Sequence, residues 1–341
     1  MNCFLSRNYR GLSNAGNKAK TDIENIMEKM SFRNIGLKRT FYDHTLTAFF
    51  LNLFGVLKAP FHLHKGDVLV LQYPLKKYFS FICKMAHLRG AKVIVLIHDL
   101  GSFRRKKLTI KQEMKRLGNA DHIITHNDCM KKWLENNGCQ PQLSTLKIFD
   151  YLSTTTAQTA ESIQKPFRVL YAGGLAKRKN TFLYEIGDHM SSYTLNLYGK
   201  GFEIEEAKGA ERIQYKGFVP SDQLIATAEG DFGLVWDGFS LDGCTGDFGE
   251  YLQYNNPHKT SLYIRCELPV IIWKKAALAS FIQKNNIGIC IDSLTELNDI
   301  LTNLSIEEYN TMKNNVKKIS TQLAEGYYAQ TAIQEAIRQL K

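Results

Sequence analysis

Short apolar runs alternate along this chain with stretches of helical spacing, and this alternation constrains the fold more than any other feature. Four strands are predicted in the first half: Val68–Gln72, Lys92–Ile97, His122–Thr125 and Leu143–Ile148. Three helices are predicted between them: Ser80–Arg89, Ile110–Leu117 and Asp128–Asn136. A strand, a helix and a further strand in succession are typical of parallel strands in a doubly wound α/β domain.

The same alternation returns after Ser153–Ala160, a polar and β-branched stretch that is typical of a linker. Six further strands are predicted: Phe167–Tyr171, Thr194–Tyr198, Ile213–Tyr215, Phe232–Val235, Val270–Trp273 and Gly288–Ile291. We therefore expect an α/β protein with two Rossmann-like doubly wound domains, residues 1–152 and 161–320, facing a cleft. Helical spacing over Ile306–Ile319 and Gln322–Leu340 predicts a C-terminal helix, residues 321–341, that braces the first domain.

The charge balance favours an anionic partner. The chain carries 44 Lys and Arg against 33 Asp and Glu, a net charge of +11, which suits nucleic acid, anionic lipid or phosphorylated substrates. No nucleic-acid motif with interleaved aromatic residues is present, so nucleic acid is not expected. The seven cysteines lie far apart, which argues against a zinc site or a disulfide framework. No signal-peptide pattern or spanning apolar run occurs, so we expect a cytoplasmic protein.

Glycine-bearing turns follow several of the predicted strands, at the sheet edge where doubly wound domains bind ligands. The candidate phosphate and base contacts in the second domain are Gly173, Gly174, Lys177, Arg178, Gly199, Gly201, Gly217 and Phe218. In the first domain, a loop through Asn14, Ala15 and Gly16 follows an apparent first strand and precedes a helix near Lys18. Each turn taken alone is also typical of an ordinary connection, so the inference depends on their combination.

The segment Asn256–Tyr263 carries the strongest ligand signal. Lys259, Thr260 and Ser261 stand at the predicted start of a helix, where free backbone N–H groups and the positive end of the helix dipole favour a diphosphate. The sequence therefore predicts an activated, phosphate-bearing small molecule as the ligand.

Taken together, six segments resemble one known group of proteins. They are the loop from Asn8 to Gly16, Ile97–Leu100, Ala120–Ile124, Gly173–Gly174, Gly230–Trp236 and Asn256–Tyr263. The chain resembles bacterial glycosyltransferases of the two-domain B-type fold. Within that group it is similar to β-1,6-galactofuranosyltransferases of surface-polysaccharide synthesis and to the glucosyltransferase that extends sugars on serine-rich streptococcal adhesins.

The resemblance implies a first domain for the acceptor and a second for a nucleotide sugar. It implies uracil near Gly217 and Phe218, and diphosphate near Gly174, Lys177 and Lys259. One departure is Glu267, where related chains tend to carry glycine before Leu-Pro-Val.

Two absences bear on mechanism. The chain has no Asp-x-Asp pair, so we expect metal-independent transfer without a cofactor. Many retaining B-type enzymes place a glutamate seven residues before the Pro-Val pair, where this chain has Leu262, so we favour inversion. Inversion requires a general base. Asp99 is the first candidate and His98 the second, because both follow the strongest strand of the first domain. The alternative is that Asp99 only caps the next segment.

The predicted activity is transfer of a hexosyl group, with galactofuranose as first choice, from a UDP-sugar to a glycan acceptor. Two alternatives stay open: a UDP-glucose-dependent glucosyltransferase acting on a glycosylated protein, and a non-catalytic nucleotide-sugar-binding subunit. A lipid-linked acceptor, a homo-oligomer and contact with the inner face of the membrane also stay open. The apolar run Leu46–Leu57 is long enough to touch a membrane surface, although ordinary core burial is expected for it. The basic cluster Arg104–Lys107 is a second candidate for contact with anionic lipid.

Overall fold

A computed structural model describes residues 1–10, 15–75, 78–103, 106–158 and 164–340. These residues form two compact units. One contains the described parts of Met1–Asp150 and Gly326–Lys341, and the other contains those of Tyr151–Glu325. Within these ranges, no helix is long and apolar enough to cross a membrane.

The first unit contains a six-stranded parallel sheet. Its strands are β1 (Asn2–Phe4), β2 (Arg33–Asn34), β3 (Val68–Tyr73), β4 (Lys92–Ile97), β5 (His122–Thr125) and β6 (Gln142–Thr145). They lie in the order β2-β1-β3-β4-β5-β6. The helices are α1 (Ala15–Lys29), α2 (Thr45–Lys58), α3 (Phe79–Leu88), α4 (Ile110–Leu117) and α5 (Asp128–Asn136). The strand order reverses between β1 and β3, so the loop after β1 lies at the point where such sheets bind ligands.

The second unit contains another six-stranded parallel sheet. Its strands are β7 (Phe167–Gly174), β8 (Tyr193–Lys200), β9 (Ile213–Gly217), β10 (Phe232–Val235), β11 (Val270–Trp273) and β12 (Gly288–Ile291). The order is β12-β11-β10-β7-β8-β9, which is the dinucleotide-fold order with its reversal between β7 and β10. The helices are α6 (Phe182–Glu185), α7 (Ser221–Thr227), α8 (Gly246–Gly249), α9 (His258–Arg265), α10 (Ala279–Asn285), α11 (Leu297–Asn303) and α12 (Ile306–Glu325).

A last helix, α13 (Tyr327–Gln339), returns the chain to the first unit, where it contacts α1, β5 and β6. The break from α12 is at Gly326, whose φ of 83° is favourable for glycine, and an added Cβ would lie 2.6 Å from Ile26 Cγ1. The buried carboxylate of Asp150 accepts hydrogen bonds from the backbone N–H groups of Tyr328 (3.1 Å) and Ala329 (2.7 Å), which satisfies the start of α13. From the sequence, the helix that braces the first domain is expected to begin at residue 321, whereas in the structure it begins at Tyr327.

The prediction of two Rossmann-like doubly wound domains is confirmed, and several boundaries shift. Strand β6 ends at Thr145 instead of Ile148, because Lys147 adopts a left-handed φ of 71° that interrupts extended backbone. Helix α1 begins at Ala15 instead of near Lys18. The expected burial of Leu46–Leu57 is wrong, because the helix that this segment forms exposes most of its large side chains.

The first part of the predicted linker is held by Arg265 on α9. Its guanidinium donates to the carbonyls of Ser153 (3.0 Å) and Thr155 (2.9 Å) and to Ser320 Oγ on α12 (2.8 Å). Residues 159 and 160 of that linker lie outside the described ranges.

Candidate functional site

The candidate site in the second unit lies where the strand order reverses, between β7 and β10. The ammonium of Lys259, in the first turn of α9, lies 2.7 Å from the Tyr171 hydroxyl on β7 and 3.1 Å from Oδ1 of Asp237. Asp237 follows β10 closely in the sequence. We call Tyr171, Lys179, Asn180, Asp237 and Lys259 the lysine–aspartate cluster. It joins one helix start to the carboxyl ends of two neighbouring strands.

A second ammonium shares the same carboxylate, since Lys179 Nζ lies 3.2 Å from Asp237 Oδ1. The Tyr171 hydroxyl lies 2.9 Å from this oxygen and 3.0 Å from Asn180 Oδ1. The amide of Asn180 donates to the carbonyl of Gly174 at 2.5 Å. Two cations around one anion leave a net positive charge beside the Gly173–Gly174 turn, an arrangement that suits an anionic ligand.

Burial shapes the protonation of this cluster. Desolvation lowers the pKa of Lys259 from 10.5 to about 8; the charge of Lys179 also lowers it, while Asp237 opposes the shift. Burial alone would raise the pKa of Asp237, but the charges of Lys259 and Lys179 outweigh it and hold that pKa below its usual range. Asp237 is therefore ionised at neutral pH, and Lys259 loses its proton at a lower pH than an exposed lysine does.

The predicted glycines lie at neighbouring strand ends. Gly173 on β7 is paired with Gly199 on β8, and a Cβ added to Gly199 would lie 1.8 Å from the Gly173 carbonyl oxygen. Gly173 (φ 150°) and Gly217 (φ 70°) have backbones that favour glycine, while added Cβ atoms at Gly174 and Gly217 would meet open space. Both of these positions let a ligand approach the backbone. Gly201 packs beside Ala176.

The predicted cations of this edge differ in their surroundings. Lys177 Nζ pairs with Glu206 at 2.5 Å and lies 5.2 Å from the Tyr184 ring centroid, while Arg178 is exposed. Phe218, after β9, is 47% exposed, and Lys200 Nζ lies 4.8 Å from its ring centroid. An exposed aromatic face beside a strand end is a suitable surface for a flat base.

Thr260 and Ser261 do not share the position of Lys259. Both side chains are buried, Thr260 completely, and among the described residues Thr260 Oγ1 has no hydrogen-bond partner. Of the three predicted phosphate ligands on α9, Lys259 is the one that the structure places in the cluster.

In the first unit, His98 and Asp99 follow β4 as predicted. His98 Nε2 lies 2.6 Å from Oε1 of Gln72 on β3, and its ring stacks on Phe149 with centroids 5.3 Å apart. Asp99 is half-buried. His126 packs edge-on against the same Phe149, and burial lowers its pKa to about 3, so it is neutral.

The loop that carries Asp99 is held by a buried carboxylate that the sequence did not indicate. Glu113 on α4 accepts hydrogen bonds from the Tyr73 hydroxyl (2.7 Å) and from the backbone N–H groups of Gly101 (2.9 Å) and Ser102 (2.7 Å). These contacts fix the turn just after Asp99 to α4 and β3.

The predicted loop after β1 is described in part. Asn14 lies outside the described residues, while Ala15 and Gly16 form the start of α1. The side chain of Asn17 donates to the carbonyl of Arg10, and Arg7 Nη1 donates to the carbonyl of Pro74 at 3.3 Å. These contacts place the described part of the loop beside the end of β3, next to the reversal point.

Sequence reasoning missed Asp237 as the partner of Lys259. A signal was available, because Asp237 follows the buried strand Phe232–Val235 at the same type of sheet edge that singled out Asp99. Among the residues that the structure describes, no group of three or more His, Cys, Asp or Glu side chains could hold a metal ion.

Two family models match this chain. Residues 2–148 match the N-terminal domain, and residues 169–336 the C-terminal domain, of the family described as glucosyltransferase 3-like. Relatives also match over nearly the full length. The chain is 34% identical over 335 residues to β-1,6-galactofuranosyltransferase WbbI of Escherichia coli (strain K12), covering 96% of each protein. It is 25% identical to glucosyltransferase 3 of Streptococcus gordonii, covering 94% of each.

The fold is also found in a solved structure. The apo form of the lipopolysaccharide outer core galactosyltransferase WaaB superposes with a TM-score of 0.59 at 10% identity, covering 100% of this chain and 99% of that one. This likeness shows the two-domain B-type architecture of glycosyltransferases.

Proposed function

Because this chain belongs to the glucosyltransferase 3-like family and is a glycosyltransferase, we propose that it transfers a hexosyl group from a UDP-sugar to a glycan acceptor. Galactofuranose is the first choice, since the relative at 34% identity is a galactofuranosyltransferase. The product would belong to a surface polysaccharide or a glycoprotein.

The observation that carries the proposal is the lysine–aspartate cluster at the reversal point of the second sheet. Lys259 and Lys179 supply positive charge there, and Gly174 exposes backbone next to it. A diphosphate needs such a combination of cations and accessible N–H groups, and its charge must be balanced further as the sugar leaves. We assign Lys259 and Lys179 to that task, and the exposed Phe218 surface to the uracil.

We further propose an inverting transfer that needs no metal. Asp99 would accept the proton of the acceptor hydroxyl as that oxygen attacks the anomeric carbon, with His98 as the second candidate. The lack of an Asp-x-Asp pair and the presence of Leu262 in place of a glutamate support this mechanism.

A second candidate is glucose transfer onto a glycosylated protein, which the similarity to glucosyltransferase 3 of Streptococcus gordonii favours. The two candidates use the same base and diphosphate, so the cluster around Lys259 fits both. They differ in the sugar and in the acceptor.

The test is a panel of UDP-galactofuranose, UDP-galactose, UDP-glucose and UDP with the full-length protein. Thermal shift reports binding, because a ligand that binds only the folded state raises the melting temperature. Mass spectrometry reports transfer and hydrolysis. We expect stabilisation by UDP and turnover of UDP-galactofuranose. Turnover of UDP-glucose alone would select the second candidate, and binding of UDP-sugars without turnover on any acceptor or water would indicate a non-catalytic subunit.

A further inference from the structure

Helix α2 in the first unit has its large side chains on the outside. Its exposed apolar residues, with those just before and after it, are Phe41, Tyr42, Leu46, Phe49, Phe50, Phe54, Leu57 and Phe61. We call this set the α2 surface. The exposed fractions reach 57% at Phe54 and 79% at Phe61, where a buried phenylalanine would be close to zero. Within α2, from Leu46 to Leu57, each member has another member three or four residues away, so these side chains lie on one face of the helix.

The opposite face of α2 explains how it attaches. The buried residues of the helix are Ala48, Gly55 and Val56, which are small. A Cβ added to Gly55 would lie 3.5 Å from the backbone nitrogen of Leu37, so the helix sits close to that segment. Asn52 Oδ1 accepts a hydrogen bond from the backbone N–H of Asn8 at 3.0 Å. The helix is therefore attached through small and polar groups, and its phenylalanines contact one another on the exposed side, where Phe50 stacks on Phe54 with ring centroids 6.4 Å apart.

The helical part of the α2 surface is bordered by lysines, and the exposed carboxylate next to the surface in the sequence is Asp43, beside Tyr42. No Asp or Glu occurs between Asp43 and Asp67, whereas Lys58 and Lys65 are exposed in that interval. Asp67 is buried and pairs with the N-terminal ammonium at 2.7 Å, so its charge is already neutralised. Aromatic and aliphatic side chains bordered by lysine suit the interface of a membrane that contains anionic lipids.

We propose that the α2 surface docks the protein onto an anionic phospholipid bilayer. The helix has 14 residues, about 21 Å at 1.5 Å per residue, so it lies in the interface instead of spanning the bilayer. The charge of the whole chain, +11, favours an anionic surface and opposes contact between two copies through the same face. This docking does not depend on which sugar the protein transfers.

The test is co-sedimentation of the full-length protein with vesicles of phosphatidylcholine, or of equal parts phosphatidylcholine and phosphatidylglycerol. We expect binding to the anionic vesicles that weakens with added salt. Phe50→Ser/Phe54→Ser should weaken this binding by about tenfold or more, since both apolar side chains would leave the lipid. Lys58→Glu should weaken it about fivefold or more.

Matched controls remove exposed groups from other elements. Ile306→Ser/Tyr327→Ser takes away two exposed apolar side chains, and Lys284→Glu reverses one exposed lysine. We expect both to bind vesicles like the unaltered protein, and all variants to keep its melting temperature. Equal binding by the α2 and control variants would overturn the proposal. A second result would also overturn it. If the unaltered protein does not bind vesicles and is a dimer by light scattering, and Phe50→Ser/Phe54→Ser is a monomer, then the α2 surface joins two copies of the protein.

Discussion

The ammonium of Lys259 and the carboxylate of Asp237 lie 3.1 Å apart, with side chains only 12% and 9% exposed. A carboxylate in this position keeps a buried lysine charged and fixes where its ammonium points. Lys179 Nζ contacts the same oxygen of Asp237. An anionic ligand would therefore meet two ammonium groups that are held by one carboxylate. Asp237 thus acts as a positioning residue for Lys259.

Replacing Lys259 with alanine should weaken UDP binding and leave the fold intact. A charge-assisted contact to phosphate contributes roughly 1.5–3 kcal/mol, so the Kd should rise about 10- to 100-fold. Lys179 would still neutralise Asp237, and for this reason we expect little change in melting temperature. Isothermal titration calorimetry measures the affinity, with Lys284→Ala as the control for loss of an exposed lysine. An unaltered Kd would remove Lys259 from the site.

The affinity for UDP should fall as the pH rises through about 8. Burial lowers the pKa of Lys259 to about 8 in the ligand-free protein, and the diphosphate binds the protonated amine better. Each pH unit above that value should therefore raise the Kd by up to about tenfold, while the Kd is flat below pH 7. Lys259→Arg is the control, because arginine stays charged throughout. Titrations between pH 7 and 9 that give both proteins the same slope would contradict this role.

Much of the second sheet could be predicted from sequence, because each buried strand is a short run of apolar residues that can be recognised without knowing which elements pack beside it. The strands Phe232–Val235 and Val270–Trp273 are where the apolar runs place them. The side chains that meet around Lys259 come from separate strands and a helix. Whether they meet depends on the order of the strands in the sheet. That order is set by non-local pairing, which one sequence does not display.

The burial of Thr260 and Ser261 has a similar origin. Tyr263 packs directly over Gly233, where an added Cβ would lie 2.3 Å from its ring, and its hydroxyl accepts from the backbone N–H of Ala172 at 2.8 Å. These contacts fix the rotation of α9 about its axis, so that Lys259 points to the cluster and the next two residues point inward. Helical spacing predicts the helix, whereas packing decides which of its faces is buried.

Glu267→Gly should stabilise the protein. Glu267 follows α9 and has a left-handed φ of 57°, which costs a non-glycine residue roughly 1 kcal/mol and is the usual place for glycine at a helix end. Its Oε2 lies 3.8 Å from Lys317 Nζ, which is too far for a hydrogen bond, and this buried oxygen has no hydrogen-bond partner among the described residues, so the side chain contributes little stability. We expect a melting temperature about 2–4 °C higher by calorimetry. Glu267→Ala, which keeps the Cβ, should give no such gain, and equal stability of the two variants would refute the backbone explanation.

Sugar transfer should continue in excess EDTA. The chain has no Asp-x-Asp pair, and the lysine–aspartate cluster offers cations in the place where a metal would neutralise the diphosphate. The measurement is the rate of UDP release with and without chelator, and again after adding manganese. A rate that collapses with EDTA and returns with manganese would show that a metal takes part.

Asp99→Asn should abolish most of the transfer without affecting the donor. The change keeps the size of the side chain but removes the proton acceptor, and loss of a general base typically lowers the rate by about 10²–10⁴. Asp99 lies on a loop that Glu113 fixes through the N–H groups of Gly101 and Ser102, so the substitution should leave the backbone in place. The affinity for UDP should stay constant, because the lysine–aspartate cluster belongs to the other unit.

The measurement that decides the mechanism combines kcat with product stereochemistry. His98→Gln serves as the matched comparison, because His98 is the neighbouring candidate and contacts Gln72. A large fall in kcat for Asp99→Asn and a smaller one for His98→Gln would identify Asp99 as the base, and the reverse pattern would transfer the role to His98. NMR of the product assigns the anomeric configuration. Since a single attack by the acceptor hydroxyl inverts the anomeric carbon, a product that retains the donor's configuration would rule out the inverting mechanism for either residue.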